Sequence, residues 1–414
     1  MEEKNSEKKE RKMRDSGIPW IGEVPEGWEF SKIKYHCTMK SGDNITALDI
    51  SDNGEYPVYG GNGLRGFYKI YNKNGNHILI GRQGALAGNV HLVNGKFWAT
   101  DHAVVVTLKN DVFINYFFRM LESMNLNQYA FDTAAQPGLS VSRIMNLNIV
   151  LPNLEEQHRI ADFLDSKCSE IDTLIENLRA RMESAKEYKK AVITEAVTKG
   201  LDKDAKMKDS GVEWIGEIPE GWKVVRFKHI ASIKSNLVQP DKYMKYPQIA
   251  PDNIEKDTGR LLSHQTVEES GIISGNHLFY RGQILYSKIR PNLNKLTVAP
   301  FDGLCSADMY PIESKLPTLF MVYSMLSTYF VSQVSLIIQD RVKMPKINQE
   351  ELGEIKVVVP SQQEMLTIAD YLDSKCSEID ALLQNYEDQI TTLEEYKKSL
   401  IYEYVTGKKE VPEA

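Results

Sequence analysis

The chain has 414 residues, 42% of them apolar, 9% aromatic and 26% charged, with a formal net charge of −7. That is enough apolar material for two to four packed domains, and it excludes a disordered or fibrous chain. No run approaches the roughly 20 uninterrupted apolar residues of a membrane span, and the start MEEKNSEKKERK lacks the apolar core of a signal peptide, so a cytoplasmic protein with no membrane association is expected.

Residues 1–12 read as a charged, disordered tail. From Met13 to Tyr35 the chain runs MRDSGIPWIGEVPEGWEFSKIKY, and it returns 194 residues later as MKDSGVEWIGEIPEGWKVVRFKH from Met207 to His229. Pro25 and Gly27, like Pro219 and Gly221, suit positions i+1 and i+3 of a type I turn. The flanking Trp20, Trp28, Trp214 and Trp222 can pack across that turn, or can anchor a partner protein.

In residues 36–148, FYKIY (67–71), HILI (77–80), NVHLV (89–93) and AVVVT (103–107) have β character, and an apolar helical run follows from Val112 to Met124. Residues 230–356 share little sequence with this stretch but repeat its order. Ile78-Leu79-Ile80 answers Ile284-Leu285-Tyr286 at an offset of 206, Asp101 answers Asp308 at 207, and Met120-Leu121 answers Met325-Leu326 at 205. One fold with different loops is expected in both inserts.

Two long helices are the most legible elements. In the first, Ile160, Leu164, Cys168, Ile171, Ile175, Leu178, Met182, Ala185, Tyr188 and Val192 fall mostly in alternating steps of three and four, a heptad-like seam. A copy displaced by 208 runs Ile368, Leu372, Cys376, Ile379, Leu383, Tyr386, Ile390, Leu393, Tyr396 and Leu400. A lone helix with such a stripe must bury it on another helix, and its own repeat is the obvious partner. Pro152 and Pro360 set the starts, since proline is tolerated in a first turn and not in an interior. The four cysteines, Cys37, Cys168, Cys305 and Cys376, form no C-x-x-C pair and have no clustered histidines, which points to buried structural thiols and no metal site.

Charge separates along the chain. Residues 36–148 carry nine Lys+Arg against eight Asp+Glu and residues 230–356 fourteen against thirteen, +1 each, while 154–200 and 362–409 come to −2 and −5. Acidic surface on the long helices suits a protein partner better than phosphates. A constant scaffold around two diverged inserts is the pattern of a protein that recognises two different things in fixed geometry.

The paired S-G-x-x-W-[IL]-G-x-[IV]-P-x-G-W turns, the helix start P-x-x-x-E-Q-x-x-I at Pro152, Glu156, Gln157 and Ile160, and the G-x-I-L-x-[SG]-[RK] strand, all in duplicated order, make almost the whole chain from Met13 resemble a specificity (S) subunit of a type I restriction-modification system. The second helix departs from the pattern, with Gln363-Glu364 read as the reverse of Glu156-Gln157. The resemblance implies an α+β fold: two α/β target recognition domains separated by two long antiparallel coiled-coil helices, in a tandem repeat with pseudo-twofold symmetry. The segments are then the tail (1–12), the first recognition domain (13–153), the first helix (154–200), the second domain (201–361), the second helix (362–408) and a short tail (409–414). It implies a non-catalytic protein that binds double-stranded DNA, each domain reading one half of a split target. The implied partners are two methyltransferase (M) subunits on the helices and restriction (R) subunits in the full complex. No cofactor is expected on this chain; S-adenosylmethionine, ATP and Mg²⁺ are implied for the partner subunits.

DNA contacts must then come from the inserts. The first offers Arg65 in a glycine-rich loop, Arg82 and Gln83 after a strand, and Arg143 in SVSRI. The second offers Lys288, Arg290, Asn292, Asn294 and Lys295 within YSKIRPNLNK, and Arg341, Lys343 and Lys346 within QDRVKMPK. Arginine favours guanine edges, Asn and Gln favour adenine, and lysine more often touches phosphate. Three other classes compete. A methyltransferase needs an [ND]-P-P-[FY] turn, and the chain has no Pro-Pro. A nuclease could use Asp302 with Glu313-Ser314-Lys315. A plain coiled-coil scaffold leaves both inserts without a purpose.

Overall fold

The computed structural model describes residues 11–84, 87–109, 111–131 and 138–412; the first ten residues of the expected tail and the last two of the chain lie outside them. The chain divides into two compact units, Met1–Asn177 with Asp388–Ala414, and Leu178–Glu387. Each unit therefore owns one insert and a length of both long helices.

In the first unit the two four-stranded sheets are built from β1 (Cys37–Ser41), β2 (Tyr56–Gly60), β3 (Gly63–Tyr68), β4 (Lys73–Asn74), β5 (His77–Gly81), β6 (Val90–Val93), β7 (Lys96–Ala99) and β8 (Ala103–Leu108). They form a central sheet in the order β1-β8-β5-β6 and an outer sheet in the order β3-β2-β7-β4. Side chains alternate across the central sheet, because successive Cβ atoms leave a strand on opposite faces. Ile78, Ile80, Val104 and Val106 join the main core with helix α1 (Ile114–Ser123), while Leu79 and Val105 join Val93, Phe97 and Ala99 in a smaller second core. Burial on both faces explains why these strands read as unbroken apolar runs.

The second unit repeats this plan. Its two larger sheets are built from β9 (Ala231–Ile233), β10 (Leu237–Val238), β11 (Pro247–Ile249), β12 (Gln265–Thr266), β13 (Asn276–Phe279), β14 (Ile284–Ser287), β15 (Leu296–Val298), β16 (Gly303–Cys305) and β17 (Met309–Ser314). The central order is β9-β17-β14-β15 and the outer order β12-β11-β16-β13-β10. Both outer sheets hold one parallel pair, β2 with β7 and β11 with β16, flanked by antiparallel neighbours. The edge strand β10 is the one addition. The two inserts thus share one topology, as their weak sequence matches implied. The apolar helices of this unit, Thr318–Leu326 and Thr328–Ile338, are largely buried in its core, and among the described residues no single helix is long and apolar enough to cross a membrane.

The long helices are α2 (Leu154–Lys199) and α3 (Gln362–Val405), of 46 and 44 residues, about 69 and 66 Å at 1.5 Å per residue. Within the first unit they run antiparallel: Phe163 meets Tyr404 with ring centroids 4.6 Å apart, and Asp172 accepts from Lys397 at 2.7 Å. The second unit holds the repeat-equivalent ion pair, Lys189 with Asp380 at 2.7 Å, displaced by 208 at both residues. The seam is buried from Ile160 to Met182 as its spacing implied. Tyr188 and Tyr396 depart from it, at 53% and 54% exposed, and the lysine after each turns inward to its aspartate. A helix of 3.6 residues per turn drifts against a 3.5 repeat, so one step of the pattern rotates out and its neighbour in.

Other expectations change locally. Arg11 and Lys12 are not a loose tail: Arg11 donates to Glu156 at 2.6 Å, and the Lys12 carbonyl accepts from Glu26 N at 3.1 Å. At the other end Lys409 pairs with Glu403 at 2.8 Å, and Val411 packs on the core. In the repeated turn Trp28 N donates to Pro25 O at 3.1 Å and Trp222 N to Pro219 O at 2.9 Å, which puts proline at position i and glycine at i+2.

The helix starts also correct the reading of Gln363-Glu364. At the constant offset of 208, Glu364 matches Glu156 and Met365 matches Gln157. Both glutamates do the same work, accepting from Trp28 Nε1 at 3.2 Å and Trp222 Nε1 at 3.0 Å. What changed is Gln157, buried, which accepts from Phe113 N and donates to Pro152 O, both at 2.9 Å. Phe113 precedes α1; the residue in its place before helix Thr318–Leu326 is Pro317, which has no N–H to satisfy. Methionine can therefore stand where glutamine did.

Candidate nucleic-acid interface

Arg82 and Lys288 leave equivalent strands, β5 and β14, into equivalent main-chain corners. Arg82 N donates to His102 O at 2.9 Å and its carbonyl accepts from Leu139 N at 2.9 Å; Lys288 N donates to Asp308 O at 3.0 Å and its carbonyl accepts from Ile347 N at 3.0 Å. The next residues, Gln83 and Ile289, bridge antiparallel to Gly138 and Lys346. The third, Gly84 and Arg290, both have positive φ, 87° and 43°. A left-handed backbone is free for glycine but costs arginine roughly 1–2 kcal/mol, so the corner itself imposes it. Arg290 N is held by Pro345 O at 2.7 Å.

Around Arg82 the expected glycine-rich loop is instead a tight hairpin turn between β2 and β3, with Arg65 on β3 itself, and it closes in on the corner. A Cβ on Gly61 would sit 3.1 Å from His102 O and 3.7 Å from Arg82 N, and one on Gly60 would sit 2.5 Å from Arg65 Cδ. A side chain at Gly61 would press on the His102 carbonyl, and one at Gly60 would displace the Arg65 side chain. The corner thus gathers Arg65, Arg82 and Gln83, and adds residues the sequence reading missed: Asn89 donates to Asn62 at 3.3 Å, and His91 lies under Gly63. Burial lowers the His91 pKa, which favours the neutral ring near pH 7. Arg82 Nη1 reaches Ser41 Oγ at 3.3 Å, and Arg143, on helix Val141–Met145, lies 5.4 Å over the Tyr129 ring.

In the second unit Arg290 and Asn292 are exposed, and Lys288 lies 5.3 Å over the Tyr310 ring. Lys295 donates to Pro251 O at 2.9 Å. Arg341 holds both oxygens of Glu351, one at 3.1 Å, and that hydrogen bonding keeps the Glu351 pKa below its ordinary value. Lys346 pairs with Asp308 at 2.9 Å, and Lys343 is exposed on the loop between them.

Asn294 corrects an expectation. It is 1% exposed, its amide donates to Met325 O at 3.2 Å, and its φ is 44°, so it shapes the loop and has no edge left for a base. Trp28 and Trp222 are likewise buried on the helix starts and present no interface, because each indole N–H is spent on a glutamate. Trp20 is partly buried, while Trp214 remains 44% exposed.

The alternative nuclease set is dispersed: Asp302 accepts from Arg281 N at 2.7 Å, Glu313 pairs with Lys234 at 2.7 Å, and Ser314 donates to Leu316 O at 2.9 Å. All four cysteines are free and buried, and desolvation raises the Cys37 thiol to about 12.

Two copies of one α/β module, each with a cation-bearing corner and packed on long helices, define a tandem recognition protein. Residues 25–184 match the family described as the type I restriction modification DNA specificity domain. The EcoDI specificity subunit of Escherichia coli is 32% identical over 286 residues, covering 66% of this chain and 64% of that protein. The EcoprrI specificity subunit of E. coli is 45% identical over 144 residues, or 34% and 35% of the two chains. Over nearly full length, the MjaVIII specificity subunit of Methanocaldococcus jannaschii is 28% identical across 423 residues, 93% of each. A solved chain from a type I restriction-modification system, studied for its complex assembly and conformational transition, shares the fold with a TM-score of 0.65 at 14% identity, covering 93% of this chain and 99% of that one. The chain is thus similar to type I restriction-modification specificity subunits over nearly its whole length, and residues 25–184 match the DNA specificity domain found in them.

Proposed function

We propose that the chain is the non-catalytic, sequence-specific double-stranded DNA-binding subunit of a type I restriction-modification complex, each insert reading one half of a bipartite target. One observation carries this reading: the two domains keep the same main-chain corner while its side chains change from Arg82-Gln83-Gly84 to Lys288-Ile289-Arg290. Constant geometry with variable edges suits two readers of different sequence. The +1 balance of each insert, against acidic helices, supports phosphate attraction by the domains rather than by the helices.

The helices would recruit two methyltransferase subunits. Leu174 with Tyr396 in one unit, and Leu382 with Tyr188 in the other, are exposed apolar residues related by the offset of 208, which supports two copies of one partner. Restriction subunits would join in the full complex, in the cytoplasm. S-adenosylmethionine would belong to the methyltransferase subunits, and ATP with Mg²⁺ to the restriction subunits.

The purified chain with its methyltransferase subunits should bind a duplex carrying the mapped methylation site and prefer it over scrambled DNA. Native mass measurement should give two such subunits per chain. A one-to-one complex refutes the symmetry argument, and absence of any duplex preference refutes the reading itself.

A further inference from the structure

Of the six described non-glycine residues with positive φ, four lie in one corner of the second unit: Arg290, Asn294, Lys343 and Met344. Strain of this kind persists only where the surroundings over-determine it, and it concentrates at functional sites. Here the bracing is explicit. Arg341 is clamped by Glu351, Lys346 by Asp308, Pro345 O by Arg290 N, and Ile347 N by Lys288 O. The arch from Arg341 to Lys346 is therefore fixed at its base, and what it presents is unusual: Val342 is 87% exposed and Met344 50%. A single exposed apolar residue needs no explanation. Two of them interleaved with Arg341 and Lys343, on a braced and strained backbone beside Lys288 and Arg290, do.

Solubility does not account for them, since valine and methionine gain nothing from water. Folding does not either, because neither belongs to a core of this unit. With Arg341 and Lys346 committed to the bracing, Lys343 and Arg290 would hold the arch against phosphates, leaving the two apolar tips facing the groove. In the major groove the thymine methyl is the one apolar group that a base edge offers, and valine or methionine can touch it without leaving a hydrogen-bonding group unpaired.

We infer that Val342 and Met344 form an apolar reader that contacts a thymine methyl in the half of the target read by the second domain. The inference rests on the DNA-recognition reading above and adds to it a base and two residues that carry no charge.

The test uses the chain in complex with its methyltransferase subunits and a duplex of the mapped target. Each thymine of the second half-site is replaced in turn by uracil, which lacks only the methyl. One replacement should weaken binding by the intact complex roughly 3- to 10-fold, the scale of one buried methyl-sized contact. A chain carrying Val342→Ala with Met344→Ala should bind the thymine and uracil duplexes equally. Lys343→Ala should weaken all duplexes alike and flatten the salt dependence. The inference is overturned if no uracil replacement affects the intact complex, if the sensitivity survives in the double variant, or if the mapped half-site contains no thymine. Failure of the underlying reading looks different, since then no duplex is preferred at all.

Discussion

Replacing Gln157 with Met tests whether the two helix starts differ for the reason given. Gln157 is 2% exposed and makes two hydrogen bonds of 2.9 Å, one satisfying Phe113 N and one donated to Pro152 O. Methionine fills a similar volume but leaves a buried N–H without an acceptor, a loss of about 1–3 kcal/mol. Some of that is returned by burying an apolar side chain in place of an amide, so about 2 kcal/mol is expected. For a unit of this size that corresponds to roughly 4–8 °C in melting temperature. The mirror change, Met365→Gln, places a carboxamide opposite Pro317, which has no N–H to offer, and should destabilise the second unit by a similar amount. Thermal unfolding of the full chain with hydrogen exchange at Phe113 reads both effects. Neutral behaviour of Gln157→Met together with unchanged protection of the Phe113 amide would refute the compensation argument.

Arg82→Ala should weaken binding of the complex about tenfold and relax preference in the first half-site alone, and Lys288→Ala should do the same for the second; competition with single-base variants distinguishes base reading from uniform phosphate loss. Burial lowers the folded-state pKa of both His91 and His277 below the ordinary 6.5, so the folded chain binds fewer protons than the unfolded one; stability should be full above about pH 6.5 and fall as pH drops towards the lowered values. A melting series from about pH 7.5 to 5.5 checks this, and the fall should shrink in a chain carrying His91→Phe and His277→Phe. Four residues inserted after Arg181 add about 6 Å and turn the following helix by roughly 40°. If helix length sets the spacing of the half-sites, the methylated sites of that variant should show a spacer longer by about one or two base pairs, with both halves unchanged.

Long-range repetition was the most legible layer of the sequence. The helix starts fall where expected, at Leu154 and Gln362, because Pro152, Asn153, Pro360 and Ser361 mark them chemically, with Asn153 and Ser361 accepting from Glu156 N and Glu364 N, whereas the second helix ends at Val405, short of the expected 408. The central strands were legible because both faces are buried. The outer sheets were not: β4 has two residues, Lys73 and Asn74, and β2 contains Pro57 and Gly60, so neither shows an apolar period. Site residues were the least legible. Asn294 and Asn292 look alike in YSKIRPNLNK, and only the path of the loop buries one and exposes the other. For Trp28 and Trp222 the sequence offers both packing and anchoring, and the glutamates on the helix starts that bind their indoles decide for packing. The equivalence of Arg82 and Lys288 was partly visible at offset 206, but the hydrogen bonds that make it structural join residues far apart in sequence.

The central claim is that each insert reads one half of a split target, and exchange of residues 36–148 for the corresponding insert of a relative tests it most directly. Genome-wide mapping of methylated sites in cells carrying the exchanged chain with its methyltransferase subunits should show one half of the target replaced, the other half unchanged and the spacer unchanged. Sites altered in both halves, or sites identical to those of the parent chain, would contradict it.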